Sequence, residues 1–180
     1  MQFFSTVLFA ASALASLAAA ESQNVLHFIN QDSTKRTIIF TAQEGLELIP
    51  DLVIEGLGTA NQTMPNSWIG NLFSVSEGAP VVPGMLAEFR FNGFAGATYF
   101  DVSAIVNPND TEGVKMIMPL SSDKPVSGCQ TFPCANAYNK WDDIATLSTD
   151  DTELVVLLGN LSNQRRRGLV ARMPREFVTS

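Results

Sequence analysis

Met85-Leu-Ala-Glu-Phe-Arg-Phe91 followed by Thr98-Tyr-Phe-Asp-Val-Ser103 is the stretch that decides the fold. In the first run Leu86, Glu88 and Arg90 point one way, and Ala87, Phe89 and Phe91 point the other. That is the period-two alternation of a strand with one face packed and one face wet. Asn92-Gly93 and Ala95-Gly96 supply turn chemistry before the second run, so the two read as neighbouring antiparallel strands. Working outward, Val25–Asn30, Arg36–Thr41, Val114–Met118 and Glu153–Leu158 carry the same short, β-branched and aromatic character. Gly, Pro and Asn separate them. The first two, joined through Gln31-Asp32-Ser33-Thr34, are expected to form a hairpin. No long run has helical spacing; residues 44–55 are ambiguous, and 136–144 are expected to form one short helix. The pattern predicts an all-β chain folded as an antiparallel β-sandwich.

The ends differ from this middle. Phe3 to Ala20 is uncharged, rich in Ala, Leu and Phe, and closes with three alanines before Glu21, as a cleaved signal peptide does. A membrane anchor is the other reading, but the run is alanine-rich, interrupted by serines and lacks basic flanks. The expected organisation is a signal peptide over 1–20, one β-sandwich domain over 21–160 and a basic, disordered tail over 161–180. The tail contains Arg165-Arg166-Arg167, a site at which a processing protease could trim it. The expected location is extracellular. The formal net charge is −7, and all charged residues lie outside the signal segment. Nucleic acid and anionic membranes are therefore excluded as partners, leaving neutral glycans and extracellular proteins. Cys129 and Cys134 are expected to form a disulfide that pins a local loop. The sequons at Asn61, Asn109 and Asn160 are candidate glycosylation sites.

Several short motifs occur in a recognisable order: Phe28-Ile-Asn30, Trp68-Ile-Gly70, Leu86-Ala-Glu-Phe89, Phe100-Asp-Val-Ser103, Met116-Ile-Met-Pro119 and Gly128-Cys129…Cys134-Ala135. Together they resemble the thaumatin-like superfamily, and in particular its short fungal members, some of which carry a deoxyribonuclease name. The resemblance implies a thaumatin-like sandwich core without the cysteine-rich second domain. It also implies a binding groove on Glu88 and Asp101, the two positions matching the family's acidic cleft. Asn71 replaces the arginine expected beside the Trp-x-Gly motif, and Asp110 is a loose stand-in for a later aspartate.

Glu88 and Asp101 are the candidate carboxyl pair. Glycoside hydrolysis would need them about 5 to 9 Å apart, one protonated and one ionised. The structural alternative has Asp101 accepting backbone N–H groups and Glu88 paired with Arg90 or a lysine. A nuclease would want a base and a carboxylate cluster for a divalent cation. The only histidine, His27, sits within a strand and has no partner histidine, so it reads as a packed or edge residue. No cofactor or metal site is expected, and residues 107–112 read as an exposed turn. Trp68, Phe73, Phe94, Tyr99 and Trp141 could stack on sugars or fill the core. The functional expectation is a secreted, non-catalytic binder of cell-wall polysaccharide or of an extracellular protein. The alternatives are a weak β-glucan hydrolase using Glu88 and Asp101, and a secreted effector or structural protein. Oligomeric state is not legible.

Overall fold

The computed structural model describes residues 23–110 and 112–161. The expected signal segment, the tail from residue 162 and the tribasic site lie outside the described residues. Among the described residues eleven strands occur in chain order: β1 Asn24–Asn30, β2 Arg36–Ala42, β3 Leu52–Ile54, β4 Thr59–Met64, β5 Ile69–Ser76, β6 Leu86–Arg90, β7 Thr98–Ser103, β8 Val114–Pro119, β9 Ser127–Gly128, β10 Leu147–Thr149 and β11 Glu153–Leu158. They form two sheets, β4-β1-β11-β8-β9 and β10-β7-β6-β5-β2-β3. The all-β sandwich is thus present. Its pairs are antiparallel except β1 with β11, which run parallel from Val25 opposite Glu153 to Asn30 opposite Leu158.

The strand periodicity builds the core. Leu26 and Phe28 of β1, Leu154 and Val156 of β11, Ala87 and Phe89 of β6, and Phe100 and Val102 of β7 are all buried between the sheets. Phe28 meets Phe40 of β2 edge to face at 6.2 Å between ring centroids, which ties one layer to the other. A smaller cluster of Phe73, Val75 and Leu86, with Ile39 against it, lies apart from this core. It occupies the opposite face of the six-stranded sheet, as the alternation along β5 and β6 requires.

Two expectations are corrected here. Residues 25–30 and 36–41 are strands, but they belong to different sheets and form no hairpin. Residues 31–35 make an arch from one layer to the other, fixed by side chains. Asn30 Nδ2 donates to the carbonyls of Thr34 and Glu55 at 2.6 and 3.1 Å. Buried Arg36 reaches back to Asn30 Oδ1 at 3.2 Å and Asp32 Oδ2 at 2.8 Å. These bonds consume the polar groups of the turn, leaving each strand to pair elsewhere. Residues 136–144 form turns, without a helix. Asn139 and Asp143 bond locally there, with Asp143 Oδ2 accepting the N–H groups of Asn139 and Lys140 at 2.8 Å each. The one short helix among the described residues is a 3₁₀ turn at Phe94–Gly96. No helix among the described residues is long and apolar enough to cross a membrane.

Candidate functional site

Strand register lays a row of polar side chains across the outer face of the six-stranded sheet. Thr41 of β2 lies opposite Asn71 of β5, Asn71 opposite Glu88 of β6, and Glu88 opposite Asp101 of β7. Directly opposed residues bring their Cβ atoms to about 5 Å, so the four form one continuous line. The row on one side is the apolar cluster around Phe73 and Leu86, and on the other side stand Arg90 and Tyr99. An open groove of about 800 Å³ runs over the polar row, walled on its β7 side by Tyr138, Trp141 and Thr146. Trp141 and Phe94 are 85% and 82% exposed. Two large rings on the lining of one groove and open to water are costly unless something covers them.

Asp101 is the deepest charged group of the groove, with 7% of its surface exposed. Its Oδ2 accepts from Thr146 Oγ1 at 3.1 Å. Thr146 has one hydroxyl proton and gives it to Asp101, so Tyr138, whose hydroxyl lies 2.9 Å from Thr146 Oγ1, is the donor in that contact. Asp101 Oδ1 is buried and has no hydrogen-bond partner. Burial, and then the neighbouring Glu88 charge, push the Asp101 carboxyl up to about 7, only partly opposed by the Thr146 hydroxyl. Glu88 faces it from the neighbouring strand. Two carboxyls therefore face each other across the strand pair, and a donor or cation arriving there relieves their repulsion.

Of the residues singled out in the sequence, Asn71, Glu88 and Asp101 line the groove together, and Phe94, Tyr99 and Trp141 join them. Asp110 does not line it. Its Oδ2 takes the Met85 N–H at 2.8 Å and its Oδ1 takes those of Glu112 and Gly113 at 3.0 Å each, which makes it the anchor of the β7–β8 turn. Trp68 is buried in the core and donates Nε1–H to the Glu47 carbonyl at 3.0 Å. Gly70 is needed beside it, because a Cβ there would meet the indole ring at 2.6 Å. Phe73 packs in the outer-face cluster. His27 lies between the strands flanking β1, with Nε2 2.6 Å from Glu153 Oε2 and Nδ1 3.0 Å from Asn61 Oδ1. Asn61, Asn109 and Asn160 are exposed.

Sequence reasoning missed Thr41, Arg90, Tyr138 and Thr146 as members of the groove. Arg90 had a signal, since it shares a strand face with Glu88, and Thr41 shares the outer face of β2 with Ile39. Tyr138 and Thr146 had none, because their segment has no repeat and is placed by backbone bonds to β7. Tyr138 N–H donates to the Val102 carbonyl at 2.9 Å and the Ala104 N–H to the Tyr138 carbonyl at 2.7 Å. Cys129 and Cys134 form the expected disulfide. Among the described residues no group of three or more His, Cys, Asp or Glu could hold a metal ion.

No protein-family model matches the chain. Over 132 residues, 73% of the chain and 92% of the relative, it is 44% identical to the antigenic protein SchS21 of Stachybotrys chartarum. Its fold is similar to that of the protein elicitor MoHrip2 from Magnaporthe oryzae, with a TM-score of 0.58 at 13% identity, covering 76% of this chain and 98% of that one. These likenesses overturn the thaumatin-like resemblance. The motifs that suggested it have local causes. Leu86-Ala-Glu-Phe89 and Phe100-Asp-Val-Ser103 are adjacent strands with apolar inner and polar outer positions, a pattern that any sandwich with one wet sheet face produces. Trp68-Ile-Gly70 is a core packing contact, and the paired cysteines close a short loop.

Proposed function

The chain belongs to the family of the antigenic protein SchS21, and from that premise we propose that it is a secreted, non-catalytic, effector-type protein that acts by recognising an extracellular polypeptide through the groove over Thr41, Asn71, Glu88 and Asp101. The observation that carries this reading is the groove itself. It is open, its floor holds a buried carboxyl oxygen without a partner, and its wall and end present exposed aromatic rings. Aromatic anchors around a few placed polar groups are the usual make-up of a contact surface. The fold shared with a protein elicitor agrees with a recognition role. The apolar, uncharged start of the chain and the Cys129–Cys134 bond agree with secretion.

The carboxyl pair speaks against a glycosidase. Acid and base must stand on either side of a glycosidic bond, about 5 Å or more apart. Glu88 and Asp101 are instead directly opposed on adjacent strands, near enough for the Glu88 charge to raise the Asp101 carboxyl. A second reading, a cell-wall glycan as ligand, is favoured by one observation. Planar polar side chains (Asn71, Glu88, Asp101) lie beside the ring of Tyr99 in the same groove.

The test is capture by the purified protein from an extracellular protein fraction, run beside co-sedimentation with insoluble β-glucan, chitin and cellulose. Trp141→Ala is the groove variant. Polypeptide capture that is lost in Trp141→Ala, without sugar release, is the expected result. Glycan binding lost in the same variant transfers the site to the second reading. Release of reducing sugar, or capture indifferent to Trp141→Ala, overturns recognition through this groove.

A further inference from the structure

We propose that the floor of this groove, between Glu88 and Asp101, is a site for a primary ammonium group, presented by a lysine side chain of the recognised polypeptide. This rests on the groove being the contact surface and adds the chemistry it selects. The site is more than a cluster of acids. Asp101 is more than nine-tenths buried, lines the groove, and has an oxygen without a partner. Opposite it on β6 stands a second carboxyl, and next in the row, on β5, the Asn71 amide. Glu88 and Asp101 thus present acceptors to each other from two adjacent strands, with the Asn71 amide beyond Glu88 in the same row. An ammonium group has three N–H donors directed to three sides and suits that arrangement.

A guanidinium fits less well. Its planar fork wants both oxygens of one carboxylate, and Asp101 Oδ2 is already taken by Thr146. A sugar hydroxyl can donate but leaves two like charges facing each other, whereas a cation neutralises them. The walls suit the rest of a lysine. Tyr99, Tyr138 and Trp141 offer apolar surface to four methylenes and ring faces to the charge.

The charged and titratable groups around Asp101 are few. Glu88 faces it from β6, and Tyr138 reaches it through Thr146. Tyr99 precedes it by two residues on β7, and Arg90 follows Glu88 by two on β6. Arg90 is exposed, and its stem lies beside the Tyr99 ring at the Gly93 turn, since a Cβ at Gly93 would come within 3.3 Å of Arg90 Cδ and 3.0 Å of the ring. Its guanidinium belongs to the end of the groove. Asn71 and Thr41 are neutral. An arriving ammonium takes the place of the proton on the Asp101 carboxyl, and that proton passes to the buffer. Since the Asp101 carboxyl is pushed up to about 7, binding strengthens as pH rises through neutrality.

The measurement is calorimetric titration of the whole protein with Nα-acetyl-lysine-N-methylamide, and with the uncharged norleucine analogue. It is run at about pH 5.5 and about pH 8, and near pH 7 in two buffers of different ionisation enthalpy. The lysine probe should bind roughly tenfold more tightly at the higher pH, the norleucine probe should not bind, and the apparent enthalpy should depend on the buffer. Asp101→Asn should weaken binding roughly tenfold and remove the pH dependence, and Glu88→Gln should weaken it with the fold intact by circular dichroism. Equal binding of both probes, or lysine binding without pH and buffer dependence in the wild type, overturns the ammonium site. So does no lysine binding. If the lysine probe fails while Trp141→Ala still abolishes polypeptide capture, the groove reading stands and only its ammonium chemistry falls. If capture is also indifferent to Trp141→Ala, both fall.

Discussion

Asp101 gains its properties from the single position it occupies, buried at the end of a polar row and opposed by Glu88. Its carboxyl is raised from 3.8 to about 7, so the folded state holds its proton more tightly than the unfolded chain does. The stability this confers is complete below the unfolded value and is lost as pH rises through about 7. Asp101→Asn cannot ionise, so the melting temperature of the wild type relative to this variant should fall from about pH 5 to about pH 8.5. Each kcal/mol appears as roughly 2–4 °C in a domain of this size. A constant difference across that range contradicts the account. Asp32 behaves in the opposite way. Burial works against its charge, but the Thr34 N–H, the Arg36 guanidinium and the Asn160 N–H together hold the carboxyl below its ordinary value. Its contribution is present above 3.8 and is lost as pH falls. Arg36→Met would strand that carboxylate beside the arch and should cost about 3 kcal/mol in urea denaturation at neutral pH. The alternation of β6 and β7 was enough to place Glu88 and Asp101 on one face. It could not show that Tyr138 and Thr146 close over them, because that contact depends on how an irregular segment docks.

At the scale of elements, the strands with regular alternation were legible: β1, β2, β6, β7, β8 and β11 all fall where the pattern puts them. The central strand β5 was not, because Gly70 on its inner face and Asn71 on its outer face interrupt its apolar run for reasons outside the strand. Gly70 makes room for the Trp68 ring, and Asn71 belongs to the groove. β3, β9 and β10 are two or three residues long and are defined by their partners. The missing hairpin has the same origin. A loop containing Asp32 and Ser33 suggests a turn, but only the buried Asn30 and Arg36 side chains decide that the turn crosses between layers. The Cys129–Cys134 loop is a local element as well. It encloses few residues, so the Cys129→Ser/Cys134→Ser variant should keep the fold and lose about 2 kcal/mol by denaturant unfolding. Collapse of the whole domain in that variant would mean that the loop supports far more than its own neighbourhood. One such wider link is the pair of hydrogen bonds between the Gln130 and Gln31 side chains.

At the largest scale, the decisive pairing is β1 with β11, because the first and last described strands lie together in the middle of the five-stranded sheet. Nothing in the local sequence of either strand indicates this, since pairing across such a separation is settled by the closure of the complete sandwich. A chain ending at residue 152 lacks the strand that joins β1 to β8. It should show no native near-ultraviolet circular dichroism and no cooperative thermal transition; either signal in the shortened chain contradicts a central role for β11. Long-range pairing of this kind also predicts refolding in milliseconds to seconds, slower than for local topologies. Because the two strands run in the same direction, residue 23 lies near the start of β11 and residue 161 near the end of β1. The described chain therefore enters at one pole of the sheet and leaves at the other. A tether pulled between those points would load all six registered positions of the pair in shear at once, whereas a terminal hairpin would be peeled open one bond at a time. Pulled in that way, the pair would yield only when all its bonds fail together.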